Sequence, residues 1–257
     1  MTFYTVKLSF IIVEYHSINE ILICQRSILE NISLEIPYEI IVSSNSVYSK
    51  NKQKELVEAY GTLKWVFNKS NGGFAYAMNQ GLKAASGDVL IIMNPDIKLG
   101  DGFGKMLAYL LQNDSIGIIA PQIRNAQGQV QDSFRKFITP MNFLIRHFRR
   151  LIQKDKFKIP VVAVQVDWVI GAFMMMPRHA YEAVNGLDEH YFLYCEDMDL
   201  CKRMCQQRYS VIYYPEAWIE YEGTRSARKS YKYACVFLKS LFRYWKKFGI
   251  ISNKLLV

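Results

Sequence analysis

The chain has 257 residues, 51% of them hydrophobic and 21% charged, and a formal net charge of +9. That balance excludes a disordered or collagen-like chain, and its length allows one large domain with or without an appendage. The basic surplus favours anionic partners such as nucleotides, nucleic acid or an acidic membrane surface. Five cysteines, an odd number in a chain of this size, argue against a disulfide framework. Cys201 and Cys205 share a helical face but lack the further ligands a zinc site needs, so packed or surface thiols are expected. The apolar stretch "LSFIIV" is too short for a secretory h-region, and Glu14 follows it. A cytosolic chain with reduced thiols is therefore the expectation.

In chain order, "VKLSFIIVEY" predicts a buried strand. "SINEILICQRSILENI" predicts a helix with Ile18, Leu22, Ile28 and Leu29 as its apolar stripe. "YEIIVSSNS" predicts a second strand, and "KNKQKELVEAYG" a helix closed by Gly61. "LKWVFN", "GGFAYAMNQGLKAASG" and "DVLIIMNPD" continue as strand, helix and strand. Alternation of this kind argues for an α/β fold with a mostly parallel sheet, whose ligands bind at the carboxyl ends of the strands. Segments 43–46, 68–73 and 94–96 fall there. Beyond residue 100 the pattern loosens. "GIIAPQIRN", "VDWVIGAFMMMPR" and "YSVIYYPEAWIEY" read as strands, "DEHYFLYCEDMDLCKRMCQQR" as an acidic loop entering a helix, and the chain from Lys229 as one basic helix.

Three stretches carry candidate chemistry. Asn94 and Pro95 restrict the backbone before Asp96, so its carboxylate is either a turn former or is presented to a metal on a diphosphate, which needs only one or two protein carboxylates. Gly72 and Gly73 precede a helix whose positive end suits phosphate, with Asn71 and Asn79 as polar neighbours. Asp188, Glu189, Glu196, Asp197 and Asp199 crowd among Tyr191, Phe192 and Tyr194, a setting that raises a carboxyl pKa toward that of a general base. The alternative is a helix N-terminus decorated with acids, and Asp199 fits it through Arg203 at i+4.

"NGGFAYAMNQGLKAASGDVLIIMNPD", "VDWVIGAFMMMPR", "GLDEHYFLYCEDMDLCKR" and "YYPEAWIEYEGTRS" occur in order. Together they resemble family 2 inverting glycosyltransferases of the GT-A fold, particularly the rhamnosyltransferase-like branch, over about residues 5–226. The resemblance implies a transferase domain over 1–226, with 1–100 mainly binding nucleotide sugar and 101–226 mainly acceptor and catalysis; residues 227–257 lie beyond it and read as a C-terminal amphipathic basic helix. It implies a divalent metal, Mg2+ or Mn2+, on Asp96, and a general base at Asp197 of the Glu196–Asp197 pair. Ser43 stands where the family has a base-reading Asp. Asn71, Gly72, Gly73, Asn79, Asn94 and Arg225 are assigned to the donor, and Trp168, Gly171 and Ala172 to the acceptor or sugar pocket. Glu220 stands where the family often has a His, and would substitute as a metal ligand. The donor implied is dTDP-rhamnose or a UDP-sugar, and the acceptor a glycan or lipid-linked glycan. A catalytically dead nucleotide-sugar-binding protein, motivated by Ser43 and Glu220, is the alternative. A nucleic-acid-binding module is a weaker one, because the bases lie on amphipathic segments.

In the tail, Ala234, Phe237, Leu238, Leu241, Trp245 and Phe248 form one stripe, opposite Lys232, Lys239, Arg243 and Lys246. Residues 142–154 repeat the pattern more briefly. Such a helix suits peripheral contact with the inner face of an anionic membrane, and it equally suits packing on the domain with its bases solvated.

Overall fold

The computed structural model describes residues 6–33, 35–141, 143, 159–223 and 231–249. Its first half is regular. Strands β1 (Leu8–Glu14), β2 (Tyr38–Ser44), β3 (Lys64–Phe67) and β4 (Val89–Met93) alternate with helices α1 (Ile18–Asn31), α2 (Lys50–Ala59) and α3 (Phe74–Ala84). All four strands run parallel in the order β3-β2-β1-β4. Their carboxyl ends therefore share one edge, as the alternation predicts. β1 and β4 are buried along their whole length because helices cover both sheet faces, and their near-continuous apolar sequences match that position.

The second half makes the sheet mixed. It contains β5 (Lys98–Leu99), α4 (Phe103–Leu111), β6 (Ile116–Arg124), β7 (Phe134–Arg135), β8 (Val164–Gln165), β9 (Trp168–Val169) and β10 (Phe173–Pro177). After them come α5 (Arg178–Ala183), α6 (Glu196–Gln206), β11 (Ser210–Glu220) and α7 (Tyr231–Phe248). β10 lies antiparallel between β4 and β6, β6 pairs in parallel with β11, and β7 and β9 form a separate small ribbon. "VDWVIGAFMMMPR" is thus two strands, broken at residues 170–172 where the chain crosses the site.

Two apolar stripes differ from expectation. In α1 the buried residues are Ile21, Cys24, Ser27 and Ile28, while Leu29 is exposed, so the stripe is rotated. In α7, Leu241 and Tyr244 are buried, and Phe237, Trp245 and Phe248 pack on the core shared by β10 and α6. Trp245 Nε1 donates to the Ile138 carbonyl at 2.7 Å, and Ser240 Oγ to the Leu193 carbonyl at 2.8 Å. Most of the tail stripe is therefore core, and α7 packs on the layer built by β10 and α6. Among the described residues no helix is long and apolar enough to cross a membrane.

Candidate active site

The site grows from the carboxyl end of β4. Past Met93 the ladder with β10 continues for one bond, from Asn94 N–H to the Ala172 carbonyl at 2.9 Å. The next residue back, Gly171, donates its N–H to Asp197 Oδ2 at 2.9 Å. A Cβ on Gly171 would stand 3.1 Å from the Asp197 Cβ, so only glycine lets the backbone come this close without displacement. Asn94, Ala172 and Gly171 thus link the turn that carries Asp96 to the helix that carries Asp197.

The second wall is the start of α6. Tyr194 and Cys195 both adopt left-handed backbone, at φ 70° and 66°, a conformation costly for non-glycine residues and concentrated at functional sites. They present Glu196 and Asp197 in the first helical turn, where the helix dipole favours negative charge. Asp197 is half-buried. Its carboxyl is pushed up by burial and held back by the Gly171 and Met198 N–H groups and by the Arg135 guanidinium. Glu196 is buried, and Oε2 has no hydrogen-bond partner among the described residues. Burial first and the Asp197 charge second raise its pKa. The two therefore divide: Asp197 carries the charge and Glu196 retains a proton to higher pH.

Arg135 was not visible as a site residue in the sequence. It pairs with Asp132 at 2.9 Å and lies over the Trp168 ring at 5.7 Å, on the small ribbon beside Asp197. Asp199 is wholly buried between Arg203 and Lys247, each at 2.6 Å, so it belongs to the framework as its i+4 partner suggested. Burial would raise the Asp188 carboxyl, but hydrogen bonds from Lys247 and His190 hold it below the ordinary range.

Asp96 is exposed at the β4 edge. Partial burial and the neighbouring Glu20 charge raise its pKa, and no basic side chain of the described residues pairs with it. Two carboxylates without a cation suit a divalent ion that also binds diphosphate oxygens. No three His, Cys, Asp or Glu side chains among the described residues group into a self-sufficient metal site. Glu220 does not join Asp96: strand alternation turns it to Lys98 of β5, at 2.6 Å. The next residue, Tyr221, faces the turn instead. Its hydroxyl accepts from Asn94 Nδ2 at 3.0 Å, and burial followed by the Asp96 charge raises its pKa to about 12.

Other expected contacts are corrected by packing. Trp168 is 6% exposed and donates Nε1–H to the Lys136 carbonyl, so it does not present a face to a sugar. Phe192, 50% exposed beside the start of α3, is the aromatic at the rim. Ser43 is fully buried and accepts from Asn68 Nδ2 at 3.1 Å, which keeps it from a base edge. Asn79 is saturated by Tyr181, Leu187 and Glu189, and ties α3 to the acidic loop instead of a ligand. Gly73, at φ 93°, is required by the Phe192 backbone: a Cβ would stand 2.3 Å from that carbonyl, which also takes the Phe74 N–H. Beside Gly72 the same space is filled by the Tyr76 ring. Arg225 lies outside the described residues.

At the carboxyl ends of β2 and β3, Asn71 Oδ1 accepts from Gly73 N–H and Asn45 Nδ2, and Asn45 Oδ1 accepts from Asn68 Nδ2. Behind them Glu14, wholly buried, accepts from Ser17 N–H and the Ser44, Ser46 and Tyr48 hydroxyls. Asn45 lies in the 43–46 segment that the sequence places at this edge, whereas Glu14 is marked in the sequence only as an acid that ends an otherwise apolar strand.

The sequence model described as glycosyl transferase family 2 matches residues 9–184, and one described as N-terminal domain of galactosyltransferase matches residues 147–226. The chain is 27% identical over 248 residues to rhamnosyltransferase WbbL of Escherichia coli, covering 89% of this chain and 90% of that one. It is 24% identical to the N-acetylglucosaminyl-diphospho-decaprenol L-rhamnosyltransferase of Mycobacterium tuberculosis, covering 76% and 70% respectively. Among solved structures, GalNAc-T7 with UDP, GalNAc and Mn2+ superposes with a TM-score of 0.69 at 14% identity, over 95% of this chain and 48% of that one. Mannosyltransferase PcManGT of Pyrobaculum calidifontis, with GDP-Man and Mn2+, gives 0.61 at 15% identity, over 95% and 64%. With the family match spanning residues 9–184 and the overall fold shared with such structures, the chain belongs to glycosyl transferase family 2, a glycosyltransferase on a GT-A fold.

Proposed function

We propose that this glycosyltransferase is inverting and metal-dependent, and moves a sugar from a nucleotide diphosphate to a glycan or lipid-linked glycan during cell-surface polysaccharide synthesis. The observation that carries the reading is Asp197, held by the Gly171 N–H on the path from the Asp96 turn, where the Gly171 and Met198 N–H groups and the Arg135 guanidinium oppose the rise that burial gives its carboxyl. Asp197 accepts the proton of an acceptor hydroxyl as that oxygen bonds to the anomeric carbon, and the bond from that carbon to the nucleotide diphosphate breaks on the opposite side. A divalent cation, Mg2+ or Mn2+, held by Asp96 would offset charge on the departing diphosphate. Asn45, Asn71 and Asn94 line the donor side, and Phe192 offers an apolar face on the acceptor side.

The donor is dTDP-rhamnose or a UDP-sugar. Both rhamnosyltransferase relatives favour the former, and the absence of an acid at position 43 leaves base selection to hydrogen bonds from neutral groups. A cytoplasmic site of action fits five free cysteines. The test is thermal shift against a panel of nucleotide sugars with and without manganese, followed by product analysis with the stabilising donor. A metal-dependent shift with one donor, and transfer with inversion, is the expected result. Donor binding without transfer or donor hydrolysis would select the catalytically dead reading instead.

A further inference from the structure

The two faces of α7 have different surroundings. Its inner arc is core, as described above. Its outer arc carries Tyr231, Cys235, Leu238 and Phe242, all exposed, with Tyr231 at 87%, Phe242 at 65% and Leu238 at 43%. Their spacing of i, i+4, i+7 and i+11 places them within about 60° of arc on a helix of 3.6 residues per turn. Lys239, Arg243 and Lys246 are exposed along one flank of that stripe, with Lys232 beside them, and the helix contains no acid. Single exposed apolar side chains are ordinary, but an aligned set bordered by bases is the pattern of a helix lying in a membrane interface. A second segment reaches the same edge: Phe143 meets the Trp245 ring at 5.9 Å, Trp245 meets Phe242 at 5.5 Å, and Met141 nearby is exposed.

We propose that this outer face, Tyr231, Leu238 and Phe242 with Lys239, Arg243 and Lys246, is the seat of the protein on an anionic phospholipid bilayer. Charge complementarity selects that occupant. A second copy packed on this face would bring together two faces that both carry net positive charge and no acid on the helix, and nucleic acid would leave the apolar stripe in water. The helix also holds the loop in front of Asp197. Ser240 bonds the Leu193 carbonyl, Phe237 packs edge-on to Tyr194 at 6.0 Å, and Lys247 bridges Asp188 and Asp199. An acceptor carried on a membrane lipid would thus meet the site at a height set by this helix. That extension rests on the proposed lipid-linked acceptor, whereas the seat itself does not.

The test is cosedimentation of the full chain with phosphatidylcholine vesicles and with vesicles containing phosphatidylglycerol, at low and high salt. The wild type is expected to sediment only with the anionic vesicles and to be released by salt. Lys239→Gln/Arg243→Gln/Lys246→Gln is expected to weaken binding about a hundredfold, from the contribution of each base near an anionic surface. Leu238→Ser/Phe242→Ser is expected to weaken it at least tenfold, with melting temperature and transfer to a water-soluble acceptor unchanged. Absence of wild-type binding, equal binding to neutral vesicles, or wild-type binding by both variants would overturn the proposal. So would a concentration-dependent dimer in light scattering that Leu238→Ser/Phe242→Ser abolishes. Activity on the soluble acceptor is read separately, so failure of the glycosyltransferase reading is distinguishable from failure of the seat.

Discussion

Asp197→Asn isolates the proton-transfer step with the least change of shape. In the wild type Oδ2 accepts from Gly171 N–H and Oδ1 from Met198 N–H, at 2.9 and 2.7 Å. An amide offers one acceptor oxygen, so one of these N–H groups meets an NH2 instead, which costs about 1–3 kcal/mol if no water reaches it. The variant also removes the charge that helps keep Glu196 protonated, so ionising Glu196 in the folded protein costs less, which offsets part of that loss. Stability should therefore fall by no more than about 2 kcal/mol, a few degrees of Tm for a chain of this size. The chemical step should fall far more. Loss of a positioned general base costs roughly a hundredfold to ten-thousandfold, or about 2.7–5.5 kcal/mol of barrier. Donor affinity should stay near the wild-type value, because the residue is assigned to the acceptor proton. The assay is single-turnover transfer with a saturating donor, alongside calorimetric donor binding. A transfer rate within about tenfold of wild type would refute the assignment of Asp197 as the base.

Asp96→Ala should abolish the effect of manganese on nucleotide diphosphate affinity, measured by calorimetry with and without the ion; an unchanged metal effect would return Asp96 to the role of turn former. Arg135→Gln removes the cation that lowers the Asp197 pKa. Since the base acts only when ionised, activity is lost as pH falls through that pKa, and the acidic limb of the kcat profile should move to higher pH. A limb that stays in place would make Arg135 a purely structural residue. Glu196→Gln should flatten the fall in stability between pH 4.5 and about 8, measured as Tm against pH. The folded pKa of Glu196 is raised, so its contribution is fully present below the unfolded pKa and lost as pH rises through the folded one. Deleting residues 231–257 should lower Tm by about 10 °C or more or cause aggregation, because Leu241 and Tyr244 alone contribute roughly 1.5–3 kcal/mol each by burial. A soluble truncated chain with unchanged Tm would show that α7 is dispensable to the fold.

The sequence by itself determined the parallel half of the sheet, since apolar strands and amphipathic helices alternate there with local signals strong enough to read one by one. It also marked the candidate site, because polar and acidic residues that end an apolar strand or open a helix need no distant partner to be noticed. Asp96 at the end of β4 and Glu196–Asp197 at the start of α6 are of that kind. Direction and contact were decided only by tertiary structure. Glu220 and Tyr221 are adjacent in sequence, yet the strand turns one to Lys98 and the other to the Asp96 turn. Trp168 suits a sugar platform in sequence, although a core Trp is the commoner case, and the ribbon buries it. The tail stripe has a single helical period, and that period is the same for packing as for membrane contact. Only the docking of α7 on the domain sends Leu241 and Tyr244 inward and leaves Leu238 and Phe242 outside. Arg135 reaches Asp197 across many intervening residues, and no local pattern encodes a contact that long-range packing creates.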